Sequence, residues 1–335
     1  MLKPLWDTLN DQKLDGNIKE RPAMFLGTRG YEGLQSMIFT GIKSLIQSSK
    51  NLGKSQLQIN LEEGQIALVF TLGAGNSLAD WQQNQQVISF INLAVMKTLS
   101  TNFLIEIQFS NQIVSQEFKQ DKMIAEVTRE TSVDAEEIRI IFTPDYRFFG
   151  LKTLPYFLYY DFCQHLAMLN SDFSITLSEK DKQQNSFCYS NGLEIYLHKY
   201  DNYLSRKGNP AYFKGKIEQL EIEILISRND QGQVMASFAN SEPTYLGGAH
   251  LEGFFDGAIP AFNQFLEEQN NLAYYDREMF CDRFDVIVSV KLANPKYNGS
   301  TKQKLRNPEV YNIVKDFIHG EFLTFLRSYT MWYRG

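Results

Sequence analysis

The sequence predicts an α+β protein with two domains. Three observations indicate this class: stretches in which apolar residues alternate, stretches in which they recur every three or four positions, and a polar segment after which the pattern restarts. The length of 335 residues suits two domains of ordinary size. The polar segment RKGNP at 206–210 sets the predicted boundary, so we expect domains over 21–205 and 206–335.

The first half is predicted to mix hairpins with helices. Residues 1–20 are polar and irregular, and we expect an arm there rather than a core element. Residues 33–49 place their apolar side chains on one face of a helix. The other predicted elements are hairpins at 56–61 with 65–70 and at 103–109 with 113–118, helices at 82–99, 154–169 and 191–204, and strands at 122–130, 137–144 and 172–178.

The second half has fewer elements and longer helices. Strands at 219–228 and 233–240 flank an Asn-Asp-Gln-Gly turn, so they are predicted to pair as a hairpin. A helix from about 251 to 268, a strand at 284–291 and a helix from about 308 to 328 follow.

Composition excludes several classes of function. The net charge of -6 and the absence of a basic run argue against direct nucleic-acid binding. No apolar stretch reaches the length of a membrane span, and the N-terminus has no signal-peptide core. The cysteines Cys163, Cys188 and Cys281 are scattered without metal-ligand spacing. We therefore expect a cytoplasmic protein with reduced thiols and no metal site.

Four stretches of the sequence carry recognisable motifs. They are RPAMFLGTRGYEGL (21–34), IFTPDYRFFG (141–150), SFANSEPTYLGGAHLEGFFDGAIPAFNQF (237–265) and VIVSVKLANPKYNGSTKQKL (286–305). In this order they resemble the N-terminal ATPase and transducer region of the DNA gyrase and topoisomerase IV B subunits, which are GHKL ATPases. The resemblance implies a Bergerat-type α/β sandwich followed by a gyrase-B-like transducer domain.

The resemblance also implies where catalytic groups of the first helix would lie. The register set by RPAMFLG puts Thr40 at the position of the family's general-base Glu and Ser44 at that of its Mg²⁺-binding Asn. A threonine hydroxyl has no pKa useful for general-base chemistry near neutral pH. No Asp or Glu occurs anywhere from 33 to 61, so the loss does not depend on the alignment register.

The nucleotide-binding loops of the family are altered as well. The family's Asp-Asp-Gly-x-Gly corresponds to TLGAG at 71–75, in which Thr71 replaces the adenine-recognising Asp and Gly73 and Gly75 remain. These glycines are either turn residues or remnants of a nucleotide cradle. The family's glycine-rich lid corresponds to 87–100, and no glycine occurs between Gly75 and Gly150. A lid that brings backbone N–H groups to phosphate requires glycine.

The second predicted domain contains the most specific match. Gly247, Gly248, His250 and Gly253 form the transducer motif, and the resemblance implies a structural histidine there. In the following loop Lys302 is either a solvated lysine or a retained anion contact, while Ser300 replaces the family's phosphate-contacting Gln.

These losses predict a catalytically inactive, gyrase-B-like pseudo-ATPase that requires no cofactor. We expect a binding or regulatory protein, such as a topoisomerase mimic, decoy or immunity factor, whose partner is a topoisomerase subunit, a toxin or inhibitor, or a subunit of a larger complex. A homodimer through the arm at 2–14, with Trp6 as an anchor, is also expected from the resemblance. The alternatives are a divergent GHKL enzyme that binds ATP and Mg²⁺, or a scaffold subunit of a bacterial complex. Because the chain closes soon after its last helix, we expect no DNA-cleavage domain.

Overall fold

A computed structural model divides the chain into two units, Met1–Ser190 and Asn191–Gly335. The predicted boundary at 205/206 lies outside the residues that the structure describes. No helix within the described ranges is long and apolar enough to cross a membrane. The described residues are 2–47, 55–73, 87–133, 135–171, 173–200, 208–229, 234–299 and 302–333.

The first unit is built on a mixed sheet, which has eight strands in the described part of the chain. Its strand order is β5-β4-β3-β6-β2-β1-β7-β8. Both predicted hairpins are confirmed, since β1 pairs antiparallel with β2 and β3 with β4, while β7 lies parallel to β1. The strands are β1 Ser55–Glu62, β2 Gln65–Thr71, β3 Ser100–Phe109, β4 Gln112–Lys119, β5 Lys122–Glu130, β6 Glu137–Pro144, β7 Phe173–Glu179 and β8 Gln183–Phe187.

Helices cover this sheet and enclose a core rich in aromatic side chains. The predicted helix at 33–49 is observed from Tyr31 to Gln47, and Leu34, Ile38 and Ile42 on its apolar face are fully buried. The helices of this unit are α1 Lys3–Leu9, α2 Gln12–Glu20, α3 Pro22–Leu26, α4 Tyr31–Gln47, α5 Val87–Thr98, α6 Tyr146–Phe149 and α7 Tyr156–Met168.

The expectation of an irregular N-terminus is wrong. Residues 3–20 form α1 and α2, and Leu5 and Leu9 are fully buried because their four-residue spacing places them on one helix face. The Asp11 carboxylate caps α2 by accepting the N–H groups of Lys13 and Leu14.

A buried ion pair fastens these two helices to α5. The Lys97 ammonium lies 2.6 Å from the Asp15 carboxylate and donates to the Leu9 carbonyl at 2.8 Å, and Lys97 is fully buried. Separating such a pair leaves an uncompensated buried charge, which costs about 3–5 kcal/mol. Release of residues 2–14 to a partner subunit would break the Lys97 hydrogen bond to the Leu9 carbonyl.

The second unit contains a smaller mixed sheet with the order β12-β11-β13-β10-β9 in the described residues. The predicted hairpin between 219–228 and 233–240 is wrong, because β13 lies between these two strands. It pairs antiparallel with β10 and parallel with β11. Nearly every residue of β13 is buried, as expected for a strand with neighbours on both sides. The strands are β9 Ala211–Ile217, β10 Leu220–Arg228, β11 Met235–Ala239, β12 Glu242–Pro243 and β13 Phe284–Lys291.

Two long helices, α9 and α11, pack against each other and against this sheet. Both were predicted, and their bounds agree with the prediction to within two residues. The helices of this unit are α8 Gly192–Tyr200, α9 Ala249–Glu268, α10 Arg277–Arg283 and α11 Pro308–Ser328.

Candidate functional site

Thr40 and Ser44, the predicted remnants of a catalytic helix face, lie one turn apart on α4. The Ser44 hydroxyl donates to the Thr40 carbonyl at 2.9 Å and accepts from the Asn92 side-chain amide at 2.7 Å. Only 3% of Ser44 is exposed. Mg²⁺ prefers hard oxygen ligands in octahedral geometry. A single hydroxyl that is already bonded to protein groups on both sides does not fit that requirement.

Asn92 was not identified from the sequence. It lies on α5, whose close approach to α4 is fixed at Gly41, where a Cβ atom would lie 1.9 Å from the Met96 sulfur. This approach brings Asn92 beside Ser44. A polar residue in the otherwise apolar run from 90 to 96 was the available signal, but its partner lies 48 positions away in the chain.

Thr71 and Gly73 lie at the end of β2. Thr71 is opposite Glu137 on the neighbouring strand β6, and Gly73 donates its backbone N–H to the Ser55 hydroxyl at 3.2 Å. Gly75 lies outside the described residues. The resemblance aligns Glu137 and Ile138 with the family's Gly-Thr pair. The pairing of β2 with β6 places Glu137 opposite Thr71, with its carboxylate 3.3 Å from the Arg139 guanidinium.

The residues aligned with the family's lid form a buried helix. Within α5, the side chains from Leu93 to Met96 are at most 4% exposed and contribute to the core of the first unit. The helix ends at Thr98, and β3 begins at Ser100. The described part of this segment is therefore a packed core element. Residues 74–86 lie outside the described ranges.

The glycine turn of the second unit, Gly247 and Gly248, lies against the backbone of Leu305. The Leu305 N–H donates to the Gly247 carbonyl at 3.2 Å, and the Ala249 N–H donates to the Leu305 carbonyl at 3.0 Å. Gly248 has φ 132°, and a Cβ atom there would lie 2.3 Å from the Leu305 carbonyl oxygen. Only glycine fits this position.

His250 follows the glycine turn and is fully buried. Its Nε2 lies 3.1 Å from the Thr244 hydroxyl, and its Nδ1 has no hydrogen-bond partner among the described residues. Burial lowers the pKa of His250 to about 4, so the imidazole is neutral at pH 7. This environment suits a packed structural residue.

Gly253 has a steric role in the pairing of α9 with α11. A Cβ atom at Gly253 would lie 2.4 Å from the Tyr311 carbonyl oxygen, and one at Gly257 would lie 2.4 Å from the Lys315 carbonyl oxygen. These two glycines, one turn apart, allow the helix backbones to approach closely.

Lys302 is held within the second unit. Its ammonium lies 3.4 Å from the Glu242 carboxylate, and its backbone has a positive φ of 55°. The neighbouring Gln303 carbonyl accepts the Leu246 N–H at 3.0 Å, so this loop lies along the glycine turn. Ser300 lies outside the described residues. Within the described ranges, no three His, Cys, Asp or Glu side chains are grouped so as to hold a metal ion.

Comparisons with known proteins identify the fold. A family model described as DNA gyrase B matches residues 177–331. In an alignment 365 residues long, the chain is 26% identical to the DNA gyrase B subunit of Streptococcus pyogenes. The alignment covers 96% of this chain and 55% of that protein. It is 25% identical to the DNA gyrase B subunit of Mycoplasma genitalium, covering 96% of this chain and 57% of that protein. The chain thus spans little more than half the length of these curated relatives.

Solved structures show the same likeness in three dimensions. The 43K ATPase domain of Thermus thermophilus gyrase B, in complex with an aminocoumarin, superposes with a TM-score of 0.80 at 19% identity, covering 96% of this chain and 92% of that one. The chain has a gyrase-B-like GHKL and transducer fold. The fold is also similar to that of the ATPase region of Saccharomyces cerevisiae topoisomerase II, with a TM-score of 0.61 at 15% identity. The superposition covers 93% of this chain and 97% of that one. The predicted resemblance and fold class are confirmed.

Proposed function

We propose that this gyrase-B-like chain is a binding protein that does not hydrolyse ATP. The observation that supports this most strongly is the Ser44 hydroxyl, bonded to the Thr40 carbonyl and to the Asn92 amide. Activation of water requires a base within hydrogen-bond reach of it. The carboxylate on α4 nearest to Thr40 is Glu32, eight residues or about 12 Å earlier along the helix. It lies too far away to act at this position.

The proposed role is to present gyrase-B-like surfaces to a protein partner. The curated relatives are named as subunits of DNA gyrase. A chain with this fold and without the hydrolytic groups would act as a mimic of such a subunit. It would thereby regulate a topoisomerase, act as a decoy for a toxin or inhibitor, or serve as a scaffold in a larger complex.

An association experiment tests this role. The purified chain is mixed with gyrase and topoisomerase IV subunits, and complex formation is followed by analytical ultracentrifugation with and without ATP. The proposal predicts a complex of micromolar affinity that does not depend on ATP, together with altered supercoiling in a gyrase assay. Absence of any complex, or turnover of ATP by the chain alone, would contradict it.

Asn92 and Glu137 favour a second candidate function, a divergent nucleotide-binding protein. Asn92 brings an amide beside Ser44, and Glu137 brings a carboxylate beside Thr71. The resemblance places the corresponding groups on α4 and β2, whereas Asn92 lies on α5 and Glu137 lies on β6. This candidate predicts nucleotide binding that weakens in the variants Asn92→Ala and Glu137→Gln, measured by calorimetry.

A further inference from the structure

Strand β5 forms one edge of the first unit's sheet in the described part of the chain. It is nine residues long, and all of them except Ala125 are exposed. Three exposed side chains are apolar, since Met123, Ile124 and Val127 are 48%, 56% and 48% exposed. Edge strands are usually short, covered or interrupted by proline, because an open edge can pair with another chain. A long, exposed edge with apolar side chains is therefore a surface that can add a further strand.

The backbone of β5 presents a regular row of hydrogen-bonding groups after its bulge. Ile124 has no partner on β4, whereas residues 125–130 pair with β4 without interruption. Directly after them, the Thr131 N–H donates toward β4, to the Asn111 carbonyl at 2.9 Å. Inward and outward groups alternate along an antiparallel strand. The residues that direct their N–H and C=O groups away from β4 are therefore Glu126, Thr128 and Glu130.

The charges of β5 balance within the strand. Lys122 and Arg129 offset Glu126 and Glu130, so the strand carries no net charge in a chain whose net charge is -6. Two copies of this chain repel each other in general, but not at a strand without net charge. This balance favours a second copy of β5 as the added strand, rather than a strongly basic or acidic strand of another protein.

One register of two antiparallel copies avoids opposing like charges. Outward groups must face outward groups, so a two-fold axis passes through a residue of the strand. An axis through Glu126 or Thr128 would oppose carboxylates, Glu126 to its own copy or to Glu130, and an axis through Arg129 would oppose two guanidinium groups. An axis through Val127 opposes Glu126 to Thr128 and Val127 to Val127. In that register no like charges meet, and contact between the two valines removes apolar surface from water.

We propose that β5 is the interface of a homodimer, in which two copies of the strand pair antiparallel about a two-fold axis at Val127. The backbone groups of Glu126 bond to those of Thr128 in the second copy, and the two Val127 side chains contact each other. This interface differs from the arm-mediated dimer that the resemblance implies. It does not depend on whether the chain binds nucleotide.

Sedimentation equilibrium of the full chain tests the proposal. We expect a reversible monomer–dimer equilibrium with a Kd on the order of 10–100 μM, because one strand pair buries less area than a stable interface does. Val127→Lys places two ammonium groups at the axis and is expected to weaken dimerisation at least about tenfold. The matched control Met24→Lys adds the same charge at an exposed residue of α3 and should leave the Kd unchanged. A monomer at all concentrations up to about 500 μM, or an equal Kd for the two variants, would overturn the proposal.

A disulfide trap tests the register. The background variant Cys188→Ser removes the exposed native cysteine. In it, Val127→Cys places two thiols directly opposite each other, at a separation that a disulfide spans, so we expect a covalent dimer on mild oxidation. Arg129→Cys is the control, because its two copies lie four residues apart in this register, or about 13 Å, which is too far for a disulfide. Equal cross-linking of the two variants, or none in Val127→Cys, would overturn the assigned pairing.

Discussion

The glycine turn of the second unit and the Thr40–Ser44 region of α4 in the first unit are subject to different physical constraints. Gly248 and Gly253 lie against backbone atoms that leave no room for a side chain. Thr40 and Ser44 lie where the family resemblance calls for a base and a metal ligand, and Ser44 is bonded to neighbouring protein groups instead. The glycines that shape the backbone are present, whereas hydroxyl side chains stand at the two described positions that the resemblance assigns to the base and the metal ligand. The proposed non-catalytic function depends on this difference.

The largest effect is expected from the pH dependence of His250. In the unfolded chain the imidazole takes up a proton below about pH 6.5, whereas in the folded protein its pKa is about 4. The unfolded state therefore binds more protons between these values, and the free energy of unfolding falls as the pH is lowered from 6.5 to 4. The full loss is roughly 3 kcal/mol, from about 1.4 kcal/mol per pH unit.

Urea unfolding at several pH values, followed by Trp332 fluorescence in a chain in which Trp6 and Trp81 are replaced by Phe, measures this loss in the second unit. The variant His250→Gln, which does not titrate, should show a flatter dependence over the same window. An equal pH dependence in the two proteins would mean that His250 is not the buried neutral group described above, and the contrast between the two regions would weaken.

A smaller effect is expected from Gly253→Ala. The added Cβ would meet the Tyr311 carbonyl oxygen at 2.4 Å, so α9 and α11 must move apart, at a cost of about 2 kcal/mol in unfolding free energy. Gly320→Ala is the matched control, because nothing lies within 4 Å of its Cβ position in α11. It should stabilise the protein by about 0.5–1 kcal/mol through helix propensity. Hydrogen exchange of the α9 amides reports both changes, and the same sign for both variants would contradict the steric account of the glycine motif.

The smallest effect is expected from Ser44→Ala. The variant removes two hydrogen bonds and leaves the Asn92 amide without this acceptor, so we expect a loss of about 1 kcal/mol in the stability of the first unit. Thermal unfolding checks the change, with the exposed Ser132→Ala as a control. A stability gain would indicate that the Ser44 contacts are strained, which would reopen the assignment of a structural role.

Local patterns were sufficient to predict much of the fold. The helix at α4 and the β1–β2 and β3–β4 hairpins follow from apolar spacing and short turns, which are local properties of the chain. The N-terminal helices were missed although their signals, Asp11 as a cap and the spacing of Leu5 and Leu9, are also local. The polar composition of residues 1–20 obscures these signals.

Non-local pairing explains what the sequence left undetermined. The insertion of β13 between β10 and β11 depends on which strand gains most from burial on both sides, and no turn signal encodes it. Asn92 reaches Ser44 only because α5 packs on α4 at Gly41.

Calorimetric titration of the folded chain with a non-hydrolysable ATP analogue and Mg²⁺ tests the central claim most directly. If the region around Thr40 and Ser44 does not bind phosphate groups, no heat of binding is expected even at millimolar nucleotide. Micromolar binding that is lost in Asn92→Ala would contradict the account. It would show that the region around Thr40, Ser44 and Asn92 binds nucleotide.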